Sequence, residues 1–269
     1  MQSGAIRPIP NMLPRKLFTP DHEAFRETVR KFYEKEVVPN IEKYEKQQHV
    51  DRDLWNKAGA LGLLCTTMPE EYGGSGVDRL YSMILIEEQA YAMDSSTGFS
   101  LHSDIVANYI NNFGNEDQKQ KWLPKMASGE TVTAIAMTEP GTGSDLQAVR
   151  TTAVLDGDEY VINGSKIFIT NGYLCDMAIV VCKTGNSDKG SANLSLIIVE
   201  ADRAGFSKGK PLNKIGMKGQ DTCELFFDNV RVPKENLLGM EGMGFIMLMK
   251  ELAWERMLVA IICQAGAEA

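Results

Sequence analysis

Hydrophobic positions change their period once along the chain. From residue 19 to about 126, apolar residues recur every three or four positions, the spacing of amphipathic helices. Thr19 and Pro20 open the first helix, a hydroxyl cap followed by a residue that needs no N–H there. Phe25, Val29, Phe32 and Tyr33 continue it, and Pro39 is expected to end it. Further helices are predicted over 51–60, 80–93, 99–113 and 116–126, the last capped by Asn115. The 80–93 stretch is apolar until Glu87, which suits the centre of a bundle, and EEYGGSG (70–76) reads as a loop. At Thr131 the period shortens to two. TVTAIAMTE, RTTAVLD, EYVIN, KIFIT, MAIVVCK, NLSLIIVEA and CELFFDNVRV read as strands, with turns expected at DGDE (156–159) and NGSK (163–166). No long helix separates them, which predicts a closed or sandwiched antiparallel unit. After Pro233 a helical pattern returns from about Gly242. The expectation is an α+β multidomain chain: helical over 1–130, an antiparallel β-barrel over 131–238, and the start of a helical bundle over 239–269.

Composition narrows the function. With 269 residues, 43% of them hydrophobic, the chain can bury a sizeable core. A net charge of −8 argues against a general nucleic-acid binder. The five cysteines form no C-x-x-C pair and the three histidines lie far apart, so no metal site is expected. The start, MQSGAIRPIPNMLPRKLF, is mildly basic without an apolar segment. It reads as an unstructured terminus or a remnant of an organelle presequence rather than a secretory signal.

Three stretches carry candidate chemistry. AMTEPGTGSD (136–145) puts two glycines and several hydroxyls after an apolar run. That suits a loop whose backbone approaches a ligand, and equally a polar turn. In KIFITNG (166–172), strand alternation puts Phe168 and Thr170 on one face. This pair fits either a flat heteroaromatic ligand or routine packing. In GFIMLMKELAWERMLVAIIC (244–263), Leu248, Leu252, Val259 and Ile262 share one side of a helix, with Glu255 among them. Arg256 falls beside Phe245, Met249 and Cys263. Either Glu255 forms a buried bridge to an arginine, or it is desolvated as a base. Glu251, one turn earlier, reads as a solvated neighbour of Lys250. No G-x-G-x-x-G, P-loop or nucleophile elbow is present.

Taken together, AMTEPGTGSD, VINGSKIFITNG, KGQDTCELFFDNVRVPKENLLG and KELAWERML resemble, in order, motifs of the acyl-CoA dehydrogenase family. EEQAYAMDSSTGFSLHS and KELAWERML look closest to its long-chain type, and an isovaleryl-type short branched-chain enzyme is the nearest alternative. The resemblance implies a helical domain, a β-barrel and a C-terminal bundle, with FAD between barrel and bundle. Ile135, Ala136, Met137, Thr138, Glu139, Pro140, Gly141, Thr142, Gly143 and Ser144 would line the flavin. Phe168, Ile169 and Thr170 would do so from the strand, with the Thr170 hydroxyl at N5. Glu255 would be the base that removes the α-proton of an acyl-CoA thioester, in the α,β-dehydrogenation of fatty-acid β-oxidation. Ser144, Ser191, Ala192, Ile246, Ala253, Trp254, Glu255 and Arg256 match substrate-contacting positions. Small residues over 95–100 suit a deep acyl cavity. The family implies electron-transferring flavoprotein as electron acceptor, a homotetramer, and a mitochondrial matrix location in a eukaryote or a cytoplasmic one in a bacterium. Only the first bundle helix falls within 239–269, so a catalytically incompetent binding or assembly module is the alternative from another class.

Overall fold

A computed structural model of the chain describes residues 15–186 and 190–269. The reading of the first 14 residues lies outside them. Among the described residues six α-helices precede the strands: α1 Pro20–Phe32, α2 Ile41–Gln47, α3 Arg52–Ala60, α4 Arg79–Tyr91, α5 Ala107–Phe113 and α6 Glu116–Ala127. The starts of α1 and α6 follow from side-chain chemistry. The Thr19 side chain accepts the His22 N–H while the His22 ring closes on the Thr19 backbone, and Asn115 and Gln118 do the same at α6. Each such reciprocal cap is worth about 1 kcal/mol. Pro39 does not end the helical run. A π turn over Tyr33–Val37 and a 3-10 turn over Val38–Asn40 carry the chain into α2. The wider turn takes up the strain where proline has no N–H to donate. The predicted helix over 99–113 also begins as a π segment, Leu101–Val106, before α5.

α4 lies at the centre of the helical layer, with every residue from Ile84 to Ala90 buried. Two of these are Glu87 and Glu88. They tolerate burial because Arg26 reaches Glu87 at 2.8 Å and Arg30 reaches Glu88 at 2.9 Å.

Among the described residues eight strands follow: β1 Thr133–Ala136, β2 Thr152–Asp156, β3 Glu159–Thr170, β4 Met177–Lys183, β5 Leu194–Glu200, β6 Phe206–Lys208, β7 Thr222–Pro233 and β8 Leu237–Leu238. They order as β6-β7-β3-β2-β4-β5-β8, with β1 also paired to β4. Most pairs are antiparallel, but β1 and β2 both run parallel to β4, so the sheet is mixed. The DGDE turn closes the β2–β3 hairpin, with Gly157 at φ +64. NGSK forms no turn; it lies inside β3, which bulges between Ile162 and Gly164 against β7. Gly164 sits at φ +150, and a Cβ there would meet the Thr151 hydroxyl at 2.5 Å, so the strand bends without reversing.

The last helix, α7, spans Gly244–Glu268. One apolar core fills the helical layer and another lies within the strands. A third joins Tyr109, Ile110 and Leu123 to Ile135, Ile179, Leu196, Met247 and Leu248, uniting helices, strands and α7.

Candidate active site

The AMTEPGTGSD loop leaves β1 and is held from beneath. Glu139 and Thr142 exchange backbone hydrogen bonds at 2.9 and 3.0 Å, which pinches Pro140 and Gly141 into an exposed tip. The Glu139 carboxylate is buried. It accepts the Arg150 and Thr151 N–H groups at 2.7 and 2.9 Å and pairs with Lys166 at 2.9 Å. Burial alone would raise its pKa, but the Thr151 bonds and the Lys166 charge hold it below the ordinary carboxylate value. Lys166, fully buried on β3, also donates to the Met137 carbonyl at 3.1 Å. The Ile167 N–H donates to the Thr138 carbonyl at 2.9 Å. The loop is therefore stitched onto the middle of β3. Glu139 and Thr142, read as cofactor-lining, point inward as supports, and the Thr142 hydroxyl donates to the Ala148 carbonyl. Ala136 and Ile135 are buried too, the latter in the shared core. The surface that remains open comprises Pro140, Gly141, Gly143 and Ser144, with Thr138 and Met137 half-buried. A Cβ at Gly141 or Gly143 would meet no atom within 4 Å. Neither glycine is required by packing inside the chain.

β3 bulges a second time, between Lys166 and Ile169. Two residues separate these inward-facing side chains instead of one, and the excess is taken up by Phe168 at φ +61. Phe168 is 63% exposed, while Ile169 is only 2% exposed and belongs to the strand core. Ile169 thus offers a ligand its backbone alone. Thr170 is half-buried on the outer face. The next residue, Asn171, is buried and left-handed. Its amide donates to the Gly98 carbonyl at 3.0 Å and the Thr133 carbonyl at 3.3 Å, fixing the strand end to the 94–100 segment.

On α7 the buried stripe is Gly244, Met247, Leu248, Glu251, Leu258 and Ala265. It is rotated from the predicted one: Val259 is 60% exposed, and Glu251 lies inside the stripe at 7% exposure rather than at a polar edge. The helix packs against α4 and α5, and its first turn against β5, where Gly244 meets Leu194 and Ser195. Glu255 flanks it, half-buried, and accepts a hydrogen bond from the Tyr109 hydroxyl at 2.8 Å. Its partner is this tyrosine, not an arginine. Burial raises the Glu255 pKa, the Tyr109 bond opposes that, the Glu251 charge adds to it, and Arg256 offsets it. Glu251 accepts the Asn112 amide at 2.9 Å.

The remaining candidates divide between two places. Ser191 and Ala192 lie on the short turn Gly190–Asn193, which packs between Leu146–Ala148 and α7, with the Ala192 carbonyl close to Gly242 just ahead of that helix. With the Ser144 loop these form one rim. Ala253 and Arg256 are exposed on the outer face of α7, and Trp254 stacks under the Arg79 guanidinium at 4.3 Å on the α4 side. The structure therefore separates Trp254 from Glu255. Met137 and Leu146 pack on the apolar cluster that contains Tyr109 and Leu248, which joins the loop to the Glu255 neighbourhood. Sequence reasoning missed Tyr109, Asn112 and Lys166. The YINN spacing held the first two, three residues apart on one helical face, but nothing in it named their partners.

A helical layer, a mixed β domain, an open glycine loop fastened to β3, and a half-buried carboxylate on the following helix make up the arrangement that the comparisons with known proteins place in a family. Residues 19–130 match the family model "Acyl-CoA dehydrogenase, N-terminal domain", and residues 134–230 match "Acyl-CoA dehydrogenase, middle domain". The chain belongs to the acyl-CoA dehydrogenase family. It is 48% identical over 269 residues to the mitochondrial long-chain specific acyl-CoA dehydrogenase of Sus scrofa, covering 100% of this chain and 63% of that protein. A crystal structure of acyl-CoA dehydrogenase from Geobacillus kaustophilus superposes with TM-score 0.93 at 48% identity, over 95% of this chain and 67% of the other. The acyl-CoA dehydrogenase of Bacillus anthracis complexed with FAD superposes with TM-score 0.86 at 36% identity, over 94% of this chain and 43% of the other. The chain spans about three-fifths of the length of the curated relatives it matches.

Proposed function

We propose that this chain carries the base and much of the cofactor surface of an FAD-dependent dehydrogenase acting on long-chain acyl-CoA thioesters in fatty-acid β-oxidation. Its units would divide near residues 130 and 238. Observations of the chain itself support the FAD assignment. Gly141 and Gly143 leave open space, Phe168 projects an aromatic face into solvent, and Thr138, Ser144 and Thr170 keep hydroxyl-bearing side chains exposed or half-buried on the same loop and strand. A flat heteroaromatic ring with acceptor atoms at its edge fits that donor set. Bound FAD would supply the acceptor for the hydrogen that leaves the substrate's β-carbon.

The remaining work falls to side chains. Glu255 takes the proton from the α-carbon, and the burial that raises its pKa makes it a stronger base. Tyr109 holds the carboxylate in place through its hydroxyl. Ser144, Ser191, Ala192 and Ile246 form the rim that receives the thioester, and Ala253 and Arg256 present the outer face of α7 to the rest of the substrate. Trp254 flanks the acyl channel from the α4 side. The chain-length assignment rests on the long-chain relatives. Those relatives also support a mitochondrial location in a eukaryote, with a cytoplasmic one in a bacterium. Electron-transferring flavoprotein would re-oxidise the cofactor, and a homotetramer would be the working assembly.

The observation that carries the reading is Glu255, half-buried in a mainly apolar interface with a tyrosine as its hydrogen-bond donor. Reconstituting the chain with FAD and adding palmitoyl-CoA tests it. Flavin absorbance should bleach, and Glu255→Gln should slow bleaching by about 10²–10⁴-fold, the usual worth of a positioned base, with flavin binding intact. Bleaching by isovaleryl-CoA alone would move the assignment to the branched-chain type. A chain that takes up no FAD would support the assembly-module reading.

A further inference from the structure

We propose that Glu251 is a charge-setting neighbour of Glu255, the two carboxylates being held side by side against α5 by Asn112 and Tyr109. This rests on Glu255 being the base. The two glutamates stand one turn apart on α7, and their donors stand three residues apart on α5, so the two helices meet through a matched pair of hydrogen bonds at 2.8 and 2.9 Å. Like charges at this spacing destabilise even an exposed helix, and the cost grows as water is excluded. Glu251 is 7% exposed, so it is the more buried of the two. The interface nevertheless gives each carboxylate a neutral donor in place of a cation. A neutral donor holds position and leaves the mutual repulsion in force.

Few charged groups stand near the pair. On α7 itself Arg256 opposes the effect of Glu251 on Glu255. Lys250 lies over the Phe113 ring, 5.9 Å from its centroid. From α4, Arg79 stacks on Trp254. From the π segment, Asp104 is bonded to Ser82 and so is turned towards α4. Tyr109 faces the pair from α5. Glu251 is thus the nearby charge that makes Glu255 more basic, and Tyr109 restrains it.

Glu251→Gln removes only the charge, because the glutamine carbonyl still accepts from Asn112. That separates a charge-setting role from a merely structural tie between α5 and α7. The full chain labelled with [5-¹³C]glutamate reports each carboxyl by NMR, and the Glu255 signal is assigned by its loss in Glu255→Gln. The Glu255 titration midpoint is expected to fall in Glu251→Gln and to rise in Tyr109→Phe. An unmoved midpoint in Glu251→Gln overturns the proposal. Should that variant fail to fold, Glu251→Met, which fills similar space without a charge, should lower the Glu255 midpoint, and an unmoved value overturns the proposal equally. The readout needs neither flavin nor turnover. If Glu255→Gln leaves bleaching by palmitoyl-CoA unaffected while the midpoint still shifts, the proposed function fails and the coupling stands.

Discussion

Phe168 combines two unfavourable conditions. A bulky aromatic at φ +61 stores about 1–3 kcal/mol of backbone strain, and 63% of its surface faces water. Neither condition improves the chain's own packing. Both follow from the bulge that lets Lys166 and Ile169 point inward together. The ring is thereby held one residue beyond Ile167, whose N–H is bonded to the Thr138 carbonyl of the loop. Phe168→Gly should relieve the strain at little cost in burial and stabilise the ligand-free chain by about 1 kcal/mol in urea unfolding. The same change should weaken FAD binding about tenfold or more, the worth of one stacked ring. A variant that binds FAD as tightly as the parent, measured by flavin fluorescence quenching, would remove Phe168 from the cofactor surface.

At the level of elements, the site depends on how the 137–144 loop is fastened to β3. Lys166 provides the fastening, from a position with no exposure to water. Burial lowers its pKa, and the Glu139 carboxylate sustains its charge. Removing one partner of such a pair strands the other. Lys166→Met should cost about 3 kcal/mol in urea unfolding, with part recovered in the Lys166→Met, Glu139→Gln double variant. Additive losses in the double variant would show that the pair is not coupled. None of this was legible from the sequence pattern, which put Lys166 at the end of an expected NGSK turn and named no partner for it. The elements themselves were legible where local chemistry decides them, as at the Thr19 and Asn115 caps and the DGDE hairpin. The reading failed where tertiary packing decides. NGSK has turn composition, yet β7 pairs with both of its sides and keeps it in the strand. On α7, helical spacing singled out Glu255, but the packing of α4 and α5 rotated the stripe and buried Glu251.

At the scale of the whole molecule, the helical layer and the β domain share one apolar core, and a buried histidine bridges them. His102 Nε2 donates to the Met126 carbonyl of α6 at 3.0 Å, and Nδ1 accepts from the Thr133 hydroxyl of β1 at 2.8 Å. Burial pushes its pKa down to about 4 from an ordinary 6.5. The unfolded chain therefore gains a proton below pH 6.5 that the folded chain refuses until about pH 4, and stability falls as pH drops through that window. Two residues along, burial lifts the Asp104 carboxyl to about 7 from 3.8, against the Ser82 bond and the Arg79 charge. Here the folded state holds a proton that the unfolded state has lost, so stability falls as pH rises from 3.8 to 7. The two slopes oppose each other between about pH 4 and 6.5 and flatten the profile. Asp104→Asn isolates one of them, because the amide keeps an acceptor for Ser82 and carries no charge. Its stability gain over the parent should be near zero at pH 4 and grow as pH rises to 7. The plateau should reach a few kcal/mol at most, since each unit of pKa difference is worth about 1.4 kcal/mol. With the Asp104 slope gone, the acid loss from His102 should stand out, and the variant's melting temperature should drop more steeply than the parent's below pH 6.5. Thermal melts from pH 4 to 8 measure both effects, and a difference between variant and parent that does not change with pH would mean that Asp104 is ionised in the folded chain.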